Sequence, residues 1–226
     1  MKKHTKIIAM ITLVSLLMMI LSACSSEQNI PDLTTQPVLT EAPAVAEPAA
    51  QPEAETVTGR QDGERFESVI ILEGMEETVK YEHVRNSAIG FEMDYDYESL
   101  VRRSEADREC FVSVYDKPEA LENYLEVTFR AENAEAAADS IGEALSKDYE
   151  ISRSAYLLDY AGSCTVIDAS ATKDGQTPDR MQKVYIIPAP DGCIVATAHY
   201  FFEGAEGFGR RFSYMVNTLA VIARSK

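Results

Sequence analysis

Between residues 66 and 202 the chain is a succession of short runs rich in β-branched and aromatic residues. No other feature limits its fold as strongly. The runs read FESVIIL (66–72), EETVKYEHV (76–84), IGFEMDYDY (89–97), ECFVSVYD (109–116), NYLEVTFRA (123–131), EISRSAYLLDY (150–160), SCTVIDASA (163–171), RMQKVYIIP (180–188) and CIVATAHYFF (193–202). Their length and composition are those of strands. Glu73-Gly74 suits a tight hairpin turn, and Asp174-Gly175 and Asp191-Gly192 suit turns between antiparallel neighbours. One stretch breaks the succession: ENAEAAADSIGEALSKD (132–148), where Asn133 can cap a helix that places Ala134, Ala138, Ile141 and Leu145 on one face. At the C-terminus Phe208, Phe212, Met215, Leu219 and Ile222 step by four and three, predicting an amphipathic helix through Ile222.

This order predicts an α+β domain with a mostly antiparallel sheet, one mid-chain helix and one C-terminal amphipathic helix packed on it. A parallel doubly wound sheet would instead alternate strands and helices throughout. Within the sheet, Phe91, Met93, Tyr95 and Tyr97 are expected to face the core, and Glu92, Asp94, Asp96 and Glu98 to face water. The acids also invite a second reading. Asp94, Asp96, Glu98 and Glu105 fall on positions 1, 3, 5 and 12 of a calcium loop. Ser99 stands where that loop needs glycine, and Arg102 would aim a cation into the site. The strict alternation favours the strand, and no metal site is expected.

The N-terminus has a different character. MKKHTK is a short basic segment, and residues 7–23 form an uncharged apolar run. The run ends Leu21-Ser22-Ala23-Cys24, an aliphatic residue, two small ones and a cysteine, and this resembles the lipobox of bacterial lipoproteins. The resemblance implies a signal peptide over 1–23 and lipidation of Cys24, whose thiol would be diacylglycerated and whose new amino group could be acylated. Several acyl chains together hold a protein stably on a membrane. The alternative is an uncleaved signal-anchor helix, for which the apolar run is just long enough. Either way the rest of the chain lies on the extracytoplasmic face.

Residues 24–62 hold Pro31, Pro37, Pro43, Pro48 and Pro52 among Ala, Thr, Gln and Glu, with Arg60 against many acids and no aromatic residue. Such a segment buries too little apolar area to order itself and is expected to be a disordered tether. In polyproline II form, at about 3.1 Å per residue, it could reach on the order of 100 Å. Residues 63–226 then form the domain. Its sequence order and its Gly90-Phe91-Glu92-Met93-Asp94-Tyr95 and FSYMVNTLAVI stretches resemble the α-β-α sandwich of the PsbP-like superfold. That resemblance implies a binding or accessory role and carries no catalytic residues.

A net charge of −16 repels nucleic acid and anionic headgroups, so membrane contact is expected only through lipid on Cys24. His83 and His199 lie near the ends of strand-like runs without metal-ligand spacing and are expected at the surface or on edge strands. Cys110, Cys164 and Cys193 are expected to be buried free thiols. Cys164 and Cys193 would sit on next-but-one strands, about 9.6 Å apart, too far for a disulfide. A Cys-His pair joining Cys164 or Cys193 to His199 is the one nucleophilic arrangement to check. The composite expectation is a membrane-anchored extracytoplasmic lipoprotein acting as a non-catalytic binding or accessory module for another extracytoplasmic protein, without a cofactor. The alternatives are a hydrolase or thiol enzyme with an unrecognised site, and a small-solute-binding module.

Overall fold

A computed structural model describes residues 57–172 and 178–225. The expected signal segment, Cys24, most of the expected tether and the Asp174-Gly175 turn lie outside the described residues.

Each β-type run forms a strand. Strands β1 (Arg65–Leu72) and β2 (Met75–Asn86) are joined at Glu73 and Gly74, whose φ angles of 50° and 78° are those of a primed hairpin turn. Strand β3 (Phe91–Asp96) pairs antiparallel with β2. Strands β5 (Arg108–Ser113), β6 (Tyr124–Arg130), β7 (Glu150–Leu158), β8 (Gly162–Thr172), β9 (Pro178–Ala189) and β10 (Gly192–Phe201) account for the later runs. Two strands escape the pattern: β4 (Leu100–Ser104) and β11 (Ala220–Val221). They assemble into a four-stranded sheet, β1-β2-β3-β11, and a seven-stranded sheet, β4-β5-β6-β10-β9-β8-β7. Every strand pairing described is antiparallel.

The period-2 alternation of β8 to β10 sorts their side chains onto two faces. Ile167, Val184, Ile186, Cys193 and Val195 pack on helix α1 (Ala134–Leu145) through Ala137, Ala138 and Ile141. Asn133 caps that helix, its Oδ1 accepting from the Ala136 amide at 2.9 Å. Cys164, Val166, Tyr185, Ile187, Ile194 and Ala196 belong to the main core. There they join Phe91, Met93, Phe111 and the buried residues of helix α2 (Arg210–Asn217), namely Phe212, Met215 and Val216. A helix of eight residues is too short to be stable alone, so this burial, about 1.5–3 kcal/mol per large side chain, is what holds α2.

The C-terminal helix is shorter than the apolar stepping predicts. It follows a 3-10 turn (Phe202–Gly204) and a π-helical turn (Ala205–Gly209), and it stops at Asn217 rather than running through Ile222. Thr218 ends it. Its hydroxyl donates to the Met215 carbonyl at 2.7 Å and accepts the Asp94 amide at 2.9 Å. The β-prone residues beyond then join the small sheet, Ala220 opposite Glu92 and Val221 opposite Phe91. Gly90 makes the closure possible: its φ is 97°, and a Cβ there would lie 2.5 Å from Arg224 Cγ.

Candidate functional site

Strand β3 presents the expected apolar row to the core, with Phe91 and Met93 fully buried and Tyr95 6% exposed. Of the opposite row, Glu98 faces water as expected, but the other three acids do not. Glu92 is 0% exposed, and Asp94 and Asp96 are 2% exposed. Alternation shows that two rows differ, but it cannot show that the polar row is wet. Here the chain itself covers that row.

The antiparallel register sets His83 opposite Asp94 and Arg85 opposite Glu92. His83, expected near the surface, is fully buried, with Nδ1 2.7 Å from Asp94 Oδ1. A carboxylate only accepts, so Nδ1 is the donor in this contact. Residues 57–62 then lie across the row as a strap. Thr58 donates its backbone N–H (2.8 Å) and its hydroxyl (3.1 Å) to Glu92 Oε1. Arg60 Nη1 donates to Asp94 Oδ2 at 3.1 Å, and its guanidinium lies 4.1 Å from the centre of the Phe66 ring. Asp62 Oδ1 accepts the Arg85 amide at 2.8 Å. Contacts with the domain therefore begin ahead of the boundary expected after residue 62, because Thr58 and Arg60 add hydrogen bonds to the buried Glu92 Oε1 and Asp94 Oδ2. A lone arginine in an acidic, proline-rich stretch was the sequence signal for this docking.

The four acids of the calcium-loop register point to different partners. Asp94 meets His83 and Arg60. Asp96 accepts from Arg211 of α2 at 2.5 Å and from the Glu98 and Ser99 amides at 3.1 Å. Glu98 pairs with Lys80 and Glu105 with Arg108. They converge on no common point. Among the described residues no group of three or more His, Cys, Asp or Glu side chains is placed to hold a metal ion. Glu109 is a further buried acid that alternation did not reveal. Arg102, Ser104 and Asn86 all donate to it.

Beside the strap is a cavity of about 290 Å³, near the lower end of the range for small-molecule sites. Its lining includes Arg60, Phe66, Tyr81, Asp94, Asp159, Tyr160, Tyr214, Asn217 and Thr218. Asp94 faces this space from the buried row. His83 sits behind Asp94 with its Nε2 3.4 Å from Thr58 Oγ1 and 3.9 Å from Glu92 Oε2, sealed from solvent. A general base must reach its substrate's proton, and His83 is 0% exposed. The arrangement can recognise a ligand through an ion pair, hydroxyls, an amide and aromatic walls.

A second depression of about 290 Å³ contains His199, Tyr124, Tyr149, Arg180 and Gln182. His199, also expected near the surface, is half-buried and stacks on Tyr124 with ring centres 4.2 Å apart; burial lowers its pKa to about 4. The three domain cysteines are free and buried. Burial pushes Cys110 and Cys164 up to about 11 and also raises Cys193. Cys164 packs in the main core and Cys193 against α1, on opposite faces of the large sheet. Cys193 shares strand β10 with His199, but the six intervening steps put them about 20 Å apart. Neither thiol meets His199, and the Cys-His arrangement is not formed.

No family model matches the chain, and no curated protein sequence matches it. Solved structures give distant similarities. Cyanobacterial PsbP (CyanoP) from Synechocystis is 10% identical, with 62% of this chain and 92% of that one covered and a TM-score of 0.45. LpqN, involved in cell envelope biogenesis of Mycobacterium tuberculosis, is 11% identical over 72% of this chain and 86% of that one, with a TM-score of 0.33. A Bacteroides thetaiotaomicron protein is 12% identical with a TM-score of 0.38; the match covers 60% of this chain and spans only 46% of that protein's length. At these scores the α+β description rests on the topology above, not on the likeness.

Proposed function

We propose that the chain is an extracytoplasmic lipoprotein whose domain is a non-catalytic binding module, with the strap-side cavity as its ligand site. One observation carries the reading: a buried carboxylate, Asp94, and a guanidinium, Arg60, meet at the wall of a cavity lined also by aromatic and aliphatic side chains, the Asn217 amide, hydroxyls and a second carboxylate, Asp159. Sites of this kind orient a small molecule with a few fixed polar groups and hold it by apolar contact. Support against catalysis comes from the sealed His83 and from thiols pushed away from their reactive form. The proposal includes lipidation at Cys24 with the signal over 1–23 removed, a tether ending where Thr58 meets Glu92, and a layering of helices and sheets like that of the PsbP-like sandwich. Among the described residues no helix is long and apolar enough to cross a membrane.

The chain has no tryptophan, so Tyr160→Trp would place a single reporter at the cavity wall. Fractions of envelope extract titrated against this variant are expected to give a saturable fluorescence change, absent in Tyr160→Trp combined with Asn217→Leu. A response that survives Asn217→Leu, or none from any fraction, removes the cavity as the ligand site.

A further inference from the structure

Among the described residues the two sheets have four edges, and three of them are protected. Strand β11 has two residues. Strand β4 is short and carries Arg102 and Arg103. On β1 the Tyr214 hydroxyl stands 3.3 Å from the Ile71 amide nitrogen and 3.5 Å from its carbonyl oxygen, occupying that edge. The fourth edge, β7, is longer, and its one cation, Arg153, is turned onto Asp139 of α1. It runs for nine residues without proline or lysine, and its side chains are exposed from Glu150 to Leu157. Leu157 is 74% exposed, an uncommon liability on a long free edge.

The register gives this edge two chemically distinct sides. Tyr156 lies opposite Cys164, which faces the main core, so Glu150 and Ser152 share that side. Next to them is a depression of about 250 Å³ whose lining includes Glu150 and Asp168. Lys183 is ion-paired with Asp168 at 3.8 Å, which leaves Glu150 as the other carboxylate of this lining. The other side presents Ile151 and Leu157, with Arg153 between them already paired to Asp139 of α1 at 2.6 Å.

We infer that β7 receives an extended segment of a partner protein as an added strand. Basic side chains of that segment enter the Glu150–Asp168 depression, and apolar ones cover Ile151 and Leu157. Backbone pairing supplies the affinity in this mode, and alternate side chains supply the selectivity. Charge selects the partner: a chain of net −16 repels a second copy of itself and attracts a basic segment. This surface is separate from the strap-side cavity and does not depend on its ligand.

The test uses the full chain and a capped, labelled peptide as long as β7 with alternating lysine and valine. Saturable binding is expected, weakened by salt, with hydrogen exchange slowed at the backbone amides of residues 151–157. Asp168→Asn is expected to weaken the interaction roughly fivefold, the factor for one partly exposed charge pair. A peptide with glutamate in place of lysine is expected not to bind, nor is a lysine peptide N-methylated at alternate amides. The inference is overturned by absence of binding, by protection that maps elsewhere, or by equal binding of the N-methylated peptide, which would reduce the effect to side-chain charge. Self-association that protects 151–157 without peptide also overturns it and assigns the edge to a second copy.

Discussion

Burial, rather than residue type, determines which single groups of this protein can react. Cys110 and Cys164 are pushed up to about 11, leaving little thiolate near neutrality. In a Cys24→Ser background, an aromatic disulfide reagent at about pH 8 is therefore expected to label the three domain thiols only after denaturation. Rapid labelling of the native protein would show that a thiol is accessible. His199 gives a pH signature. Its folded pKa is lowered to about 4 from 6.5, so between those values the unfolded chain binds more protons than the folded one. Stability should then fall as pH drops through that window, by on the order of 2 kcal/mol. Urea titrations near the two ends of the window, repeated with His199→Gln, test this: the loss attributable to the window should shrink in the variant. The cysteines were legible in the sequence as small buried hydrophobes. The histidines were not, since nothing local to YEHV or TAHY reveals what packs over the ring.

At the scale of elements, the strap is the part whose removal should be felt most. Losing one partner of a buried ion pair costs about 3–5 kcal/mol. Arg60 is 30% exposed and Asp94 keeps His83, so Arg60→Ala is expected to cost less, roughly 1–3 kcal/mol. Urea denaturation checks this, and a double variant with Asp94→Asn should destabilise by less than the sum of the two single changes. A purely additive result would mean that the ion pair does not couple strap to sheet. Gly90→Ala is expected to cost about 1–3 kcal/mol, since alanine resists the positive φ and its methyl would meet Arg224 and the closing strand. The major strands and α1 were visible as local periodicity. Strands β4 and β11 were not: LVRRS is short and charged, and the Ala220–Val221 pair reads as the continuation of a helix until Thr218 turns the chain.

The whole molecule is governed by its acidity. A net charge of −16 makes self-repulsion a folding cost that salt screens, although the surface ion pairs are screened as well. The melting temperature is expected to rise with sodium chloride between low and physiological ionic strength; a fall would mean that surface ion pairs such as Lys80–Glu98 and Arg210–Glu206 outweigh the repulsion. For the proposed anchor, Cys24→Ser should abolish incorporation of a fatty-acid analogue and release the chain from the membrane fraction. The amino-acid sequence alone determined the α+β class, the antiparallel strands, the Asn133 cap and the two faces of β3, because these follow from spacing along one segment. Only the tertiary structure decided that Glu92 and Asp94 are buried, that the strap covers them and that a cavity opens beside it. Those facts depend on residues far apart in the chain, Thr58 with Glu92 and Asp94 with Thr218, and no local pattern encodes which distant segment will exclude water from a row of carboxylates.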